Sequence, residues 1–453
     1  MKIALFGAGS AQFGLSTLGD IFQSPVLKGA DISLMDINGE SLDMVYRKAL
    51  EYVETRKLDF HITATTDRRK ALEGCDFVII SIEVGDRFTL WDMDWKVPMQ
   101  YGVNQVYGEN GGPGGIFHAL RITPPILEIC DDAAEICPDA FIFNYSNPMT
   151  AITTAVLRKH PEQKFIGLCH EIASLERYLP EILETDLDNL RLRAGGLNHF
   201  SVLLEASYAD TGKDAYPDIL AKAPAFFEKE PGFSDVWDYT RRTGKAPRTE
   251  GAEERWQLDV EESSRPWSDR HLFRAILETY RLLPITSDSH LGEYISWARD
   301  VVDHPGILDF YEFYKVYLAN PEDTEITEDL SERVVPIMEG IITDSGYEER
   351  AVNVLNNGAI PDFPDRVAVE VPALVDRRGV SAIPFETYPK GFGALIRNYA
   401  GVYDLTADAV LSGSRDLLVQ AVLACPVVTE YHGMREMVDT MLDNQRQWLG
   451  YIR

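Results

Sequence analysis

Short apolar runs alternate with helix-like stretches through the first two hundred residues. The runs are KIALFG (2–7), ISLMDI (32–37), HITATT (61–66), DFVIISI (76–82), AFIFNYS (140–146) and KFIGLC (164–169). Helical patterning lies between most of them, as at Phe13–Phe22, Glu40–Val53 and Ile116–Ala134. Strands that are apolar nearly throughout are covered on both faces, and helices between them return the chain for another parallel strand. The pattern predicts an α/β chain built on a Rossmann-type, doubly wound parallel sheet.

The length of 453 residues exceeds a single core and calls for a second unit. We place a Rossmann nucleotide-binding domain at 1–195 and a mixed α/β domain at 196–453. Helices are expected in the latter at Ala407–Val422 and Met434–Leu449. The polar stretch from Phe227 to Arg270 reads as a long irregular connection. A net charge of −29 excludes nucleic acid and an anionic membrane surface as partners. There is no run of eighteen apolar residues, so no membrane-spanning helix is expected. The opening MKIALFGAGS breaks into glycines too early for a secretory leader and reads as mature structure. Cys75, Cys130, Cys137, Cys169 and Cys425 are sparse and odd in number, which predicts reduced thiols and a cytoplasmic location.

Doubly wound sheets bind ligands beyond the carboxyl ends of their strands. The first strand ends in GAGSAQFG. Gly7 and Gly9 fit the first two glycines of a dinucleotide fingerprint, with Ser10, Gln12 and Phe13 at the start of the following helix. Gln12 takes the third glycine position, so the match is partial. Such a turn at a helix N-terminus receives pyrophosphate through backbone N–H groups and the helix dipole. Asp36, ending the second strand, suits the ribose hydroxyls of NAD and repels the 2′-phosphate of NADP. The alternative is a plain tight turn and a helix-capping Asp.

Later strand ends carry further polar groups. FNYSNPMT places Asn144, Asn147 and Pro148 after the fifth run, where Asn serves either a substrate contact or a turn. GLCH and AGGLNHF place Cys169 and His199 thirty residues apart. They form a soft N/S pair for Mn²⁺ or Zn²⁺, or else a buried thiol and a satisfied core imidazole. The glycine block Tyr107–Gly115 is expected as a mobile or tightly turned loop, with Glu109 and Asn110 either contacting a sugar or standing as solvated loop residues. Arg87 is a further contact candidate. The aromatic stripe Tyr311–Tyr317 reads as core or subunit contact.

Taken together, these stretches resemble glycoside hydrolase family 4, the NAD-dependent glycosidases, in the branch holding α-galactosidases and α-galacturonidases. The resemblance runs nearly end to end: IALFGAGS, LMDI, YGENGGPGGIFHALRITP, CPDAFIFNYSNPM, GLCH, AGGLNHF, VNVLNNGAIPDFP and VAVEVPALV. It implies a lactate/malate dehydrogenase-like architecture, NAD and Mn²⁺ or another divalent ion as cofactors, a small-molecule glycoside as substrate, and a homodimer or homotetramer. Cys169 and His199 match the metal ligands and Asn147 a substrate contact. His170 falls where some members carry the general acid. Asp288, within LPITSDSHLGEY, matches the base, with His290 and Glu293 lining the pocket. The α-galactosidase branch carries Glu-Ser-Ser-Glu-His in that stretch and this chain Thr-Ser-Asp-Ser-His. The branch resemblance implies an α-galactoside or α-hexuronide as substrate; this departure counts against an α-galactoside and keeps an α-glucoside open.

The resemblance also implies a mechanism outside the two-carboxylate scheme. The sugar is transiently oxidised at C3, loses a proton at C2, expels its aglycone from C1, adds water and is reduced again. Two alternatives stand beside it. A lactate- or malate-type dehydrogenase needs a His–Asp relay and a carboxylate-clamping Arg, and would release NADH. A non-catalytic sugar or dinucleotide sensor would leave its ligand intact.

Overall fold

The computed structural model describes residues 1–247, 249–250, 255–318, 325–326 and 332–453. The chain begins β1 (Lys2–Phe6), α1 (Ala11–Gln23), β2 (Asp31–Met35), α2 (Gly39–Arg56), β3 (His61–Thr65), α3 (Arg68–Leu72) and β4 (Phe77–Ile80). It continues α4 (Arg87–Gln100), α5 (Gly112–Ile136), β5 (Phe141–Asn144), α6 (Met149–Lys159) and β6 (Lys164–Gly167). All six strands are parallel, in the order β3-β2-β1-β4-β5-β6. This is the doubly wound order, with its switch point between β1 and β4. Alternate residues explain the double burial. Ala4, Phe6, Val78, Ile80 and Ile142 enter one core, while Ile3, Leu5, Phe77, Ile79 and Phe143 enter another on the opposite face.

Local chemistry sets the element ends. Asn38 caps α2 by accepting from the backbone N–H groups of Glu40 (3.1 Å) and Ser41 (3.2 Å). Helix α2 then buries Leu42, Val45, Ala49 and Val53 at helical spacing. At the first turn, a Cβ on Gly7 would lie 1.8 Å from the Ser81 carbonyl oxygen. The third glycine of the fingerprint is displaced to Gly14, not replaced. A Cβ there would lie 2.5 Å from the Ala8 carbonyl oxygen, so α1 sits against the turn only because Gly14 has none.

The second half comprises α7 (Ala173–Leu183), β7 (Leu190–Leu197), β8 (Phe200–Tyr208), α8 (Tyr216–Phe227), α9 (Phe233–Thr243), β9 (Thr249–Glu250), β10 (Arg255–Trp256), α10 (His271–Tyr280), β11 (Leu283–Pro284) and α11 (Asp288–Leu291). It ends with α12 (His304–Leu318), α13 (Val334–Thr343), β12 (Tyr347–Leu355), β13 (Ala368–Asp376), β14 (Gly379–Ala382), α14 (Lys390–Ser412), α15 (Arg415–Ala424), α16 (Met434–Asn444) and α17 (Arg446–Leu449). Its strands extend the same sheet. Asn353 of β12 pairs antiparallel with Gly167 of β6, and β13, β7, β8 and β11 follow. A division at 195/196 falls inside β7.

Several sequence expectations are corrected here. The stretch 227–270 contains helices, α9 in its middle and the last residue of α8 at its start; residues 248 and 251–254 lie outside the described set. Part of the glycine block is helical, because α5 starts at Gly112. The helix expected over Ala407–Val422 is two helices, α15 being capped by Ser414, whose Oγ accepts from Leu417 N. The helix over Met434–Leu449 breaks at Gln445. That side chain accepts from Arg121 (2.5 Å) and donates to Asp94 (2.7 Å), completing the buried Arg121–Asp94 pair (2.7 Å). All five cysteines are free thiols. No helix among the described residues is long and apolar enough to cross a membrane.

Gly14→Val should force α1 off the first turn. We expect a loss of ~1–3 kcal/mol from overpacking, read as a lower urea midpoint.

Candidate active site

A cleft of 320 Å³ opens where β5, β6 and the β7–β8 turn present their ends. Cys169 follows β6. His199 occupies the two-residue turn between β7 and β8, in the left-handed region at φ 61°. Sγ of Cys169 lies 3.3 Å from Nε2 of His199. Burial, followed by Glu370 and Glu171, pushes the Cys169 thiol well up. A divalent cation beside Sγ reverses that shift, since the thiolate is the ligating form.

His290 stacks on His199, with ring centroids 4.3 Å apart and planes 7° from parallel. It is held between two carboxylates, Nε2 to Glu109 at 3.2 Å and Nδ1 to Glu171 at 3.2 Å. Burial opposes its charge, but Glu109 and Glu171 outweigh burial and push it to about 10. Glu109 also takes Arg87 at 2.5 Å. Burial would raise Glu109; Arg87 and His290 overcome it and hold the carboxyl at about 2. Arg87 lies over the rings of Trp91 and Tyr314. Arg87, Glu109, Asn147, Cys169, His199 and His290 thus share one cleft. Asn147 precedes Pro148 across a cis peptide and caps the first turn of α6 through Met149 N (3.3 Å).

Asp288 is a correction. Its neighbours Ser287, Ser289 and His290 line the cleft, but Asp288 is fully buried and turned away. Its carboxylate accepts from Leu272 N, Phe273 N (both 3.0 Å) and Asp303 N (2.9 Å). Burial pushes it to about 7 against those donors. It clamps α10 and α11 and does not face the space a sugar would fill. Glu293 likewise lies behind the cleft. It accepts from Glu109 N (2.5 Å) and Asn110 N (3.0 Å), fixing the glycine block from beneath, and burial pushes it to about 8. His170 opens a short 3₁₀ turn, and its side chain lies outside the described residues.

At the nucleotide turn, Gly9 N donates to Asp36 Oδ2 (2.9 Å) and Asn38 N to Oδ1 (2.8 Å). Ser10 begins α1 with an exposed side chain, and Gln12's side chain lies outside the described residues. Phe13 packs on Tyr145 with centroids 4.9 Å apart, and Tyr145 reaches the cleft wall. The turn and the cleft are therefore neighbours across one aromatic pair.

Sequence reasoning missed three contributors. Glu171, two residues past Cys169, joins His199 and His290 with ligand atoms within 4.8 Å of one another; three metal-capable side chains in a row after a strand were the available signal. Glu370, a lone acid in the apolar run VAVEVPALV, accepts from Asn198 (2.8 Å), Ser201 (2.7 Å) and Asn353 (3.3 Å). The aromatic stripe is the third. Tyr311 and Phe313 are both buried, but Phe313 borders the cleft together with Phe310, Tyr314 and Tyr317, and Tyr311 does not.

Metal-capable donors at the carboxyl edge of a doubly wound sheet, beside a glycine turn, define an enzyme of the nucleotide-binding α/β class. Family models described as family 4 glycosyl hydrolase and its C-terminal domain match residues 2–185 and 194–428. The chain belongs to this family and is a glycoside hydrolase. It is similar to an alpha-glucosidase of Erwinia rhapontici, 59% identical over 452 residues, covering 100% of this chain and 99% of the relative. An alpha-galactosidase of Rhizobium meliloti (strain 1021) is 30% identical, covering 99% of this chain and 89% of the relative. In fold, the chain is similar to a 6-phospho-alpha-glucosidase from gut microorganisms solved with NAD and Mn²⁺. That likeness has a TM-score of 0.77 at 19% identity, covering 99% and 98% of the two chains.

The buried carboxyls give a direction for pH. Asp269 (about 6), Asp288 (about 7) and Glu293 (about 8) are all raised by burial. Each stabilises the fold fully below its unfolded value and loses that contribution as pH rises through its folded value. Glu109, held at about 2, contributes above its unfolded value and loses the contribution as pH falls toward 2. Thermal melts should therefore show greatest stability in mildly acidic buffer and a falling Tm from pH 5.5 to 8.5. Asp288→Asn replaces an acceptor oxygen with a donor and should cost ~1–3 kcal/mol.

Proposed function

We propose that this protein is an α-glucosidase using NAD and a divalent metal, Mn²⁺ in the first instance. The observation carrying this reading is the 3.3 Å approach of Cys169 Sγ to His199 Nε2 in the cleft beside the glycine turn. The donor set fits a divalent ion: a thiol and an imidazole in contact, with Glu171 and His290 beside them. The turn fits a dinucleotide, since Gly7 and Gly14 leave no room for a Cβ and Asp36, just past the second strand, accepts from Gly9 N.

When bound, NAD supplies a hydride acceptor for transient oxidation at sugar C3, and the metal a Lewis acid at the adjoining hydroxyls. The chain's own residues do the remainder. Cys169 and His199 would hold the metal. Asn147 offers its side-chain amide to a sugar hydroxyl. With Asp288 turned away, Glu171 and His290 are the ionisable pair placed to hold or move a proton. Glu109 and Arg87 fix His290 and close the inner wall.

The α-glucoside reading rests on the Erwinia rhapontici relative and takes the place of the α-galactoside or α-hexuronide expectation. A neutral sugar also fits the wall. At its inner end the guanidinium of Arg87 is neutralised by the Glu109 carboxylate.

With NAD⁺, Mn²⁺ and a reductant, the protein should hydrolyse p-nitrophenyl α-glucoside faster than the α-galactoside or α-glucuronide, and EDTA should abolish turnover. In D₂O the released glucose should carry deuterium at C2. Cys169→Ser should lose Mn²⁺ affinity by calorimetry while NAD⁺ binding is retained. Asp288→Asn should keep C2 exchange in its folded fraction. Hydrolysis undiminished after removal of all nucleotide overturns the reading.

A further inference from the structure

We propose that the aromatic face of α12, with Trp256, forms a leaving-group subsite that takes a second sugar ring, making α-linked disaccharides the favoured substrates. This rests on the α-glucosidase reading above. Phe310, Phe313, Tyr314 and Tyr317 recur at helical spacing and all line the cleft. From Phe310 to Tyr317 the helix rises about 10 Å, longer than one hexose ring. The inner end is anchored at the reacting centre: Phe310 lies 6.2 Å from His290, which stacks on His199. Tyr317 is 37% exposed, its ring stacked on Phe313 at 5.4 Å. Trp256 of β10 stands edge-on to both, 5.4 Å from Phe313 and 6.0 Å from Tyr317.

The direction follows from what closes the other end. A sugar held at Asn147, Cys169 and His199 meets Glu109 and Arg87 at the inner wall, and Tyr107 packs behind His290 at 5.6 Å. Its C1 substituent therefore leaves outward, along the aromatic stripe. A pyranose ring has one face of C–H groups that lies on an aromatic ring and a rim of hydroxyls that needs polar partners. The cleft supplies both: the α12 wall is aromatic, and Ser174, Arg177, Arg270, Thr286 and Ser287 line it as well.

The test compares wild type, Tyr317→Ala, Trp256→Ala and Tyr317→Phe on maltose and methyl α-glucoside, with NAD⁺ and Mn²⁺ present. KM for maltose should rise about tenfold in the two alanine variants while methyl α-glucoside is unaffected, and Tyr317→Phe should behave as wild type. Equal losses on both substrates, or none on maltose, overturn the subsite. Calorimetric binding of the same two sugars separates it from the reaction assignment. If wild type cleaves neither sugar, the α-glucosidase reading falls. The subsite falls only if wild type binds maltose no tighter than methyl α-glucoside, or if Tyr317→Ala leaves maltose affinity unchanged.

Discussion

A carboxylate that does not line the cleft holds the cleft together. Glu370 is 1% exposed on β13 and gathers Asn198, Ser201 and Asn353 onto its two oxygens. Burying an acid is unfavourable unless donors compensate it, and here the donors come from β8, β12 and the β7–β8 turn. That turn carries His199 in a left-handed conformation, which surrounding structure must enforce. Release of Glu370 would loosen the turn that presents the imidazole to Cys169.

In front of this support, charge is arranged as an alternating chain. Glu83, Arg87, Glu109, His290 and Glu171 follow one another, each cation set between anions. Glu293 holds the backbone that presents Glu109, so even the mobile-looking glycine block is pinned. The result is near-balance, three carboxylates against two cations, in a chain whose net charge is −29, and a set of oriented dipoles that need not reorganise when a neutral sugar arrives.

The sequence made the parallel half readable because its strands are separated by helices and end in chemistry. Cys169 and His199 were visible at strand ends, and the structure brings them together. What escaped depends on direction or distance. Asp288 lies between Ser287 and Ser289, both facing the cleft, yet the short helix α11 turns it inward onto the N-terminus of α10. The acceptance of Asn198 by Glu370 spans 172 positions, which periodicity does not report. Phe310, Phe313, Tyr314 and Tyr317 carry a core-like apolar pattern; only the placement of α12 across from α7 and the Ile285–Ser289 loop makes them a wall.

The pairing of Asn353 with Gly167 has a wider mechanical meaning. One sheet runs beneath both the nucleotide turn and the sugar cleft, so the described strands offer no soft seam about which two lobes would close. Water must be displaced by the fit of the ligand itself against a prebuilt wall. Loosely fitting glycosides are then penalised in the reaction more than in their binding.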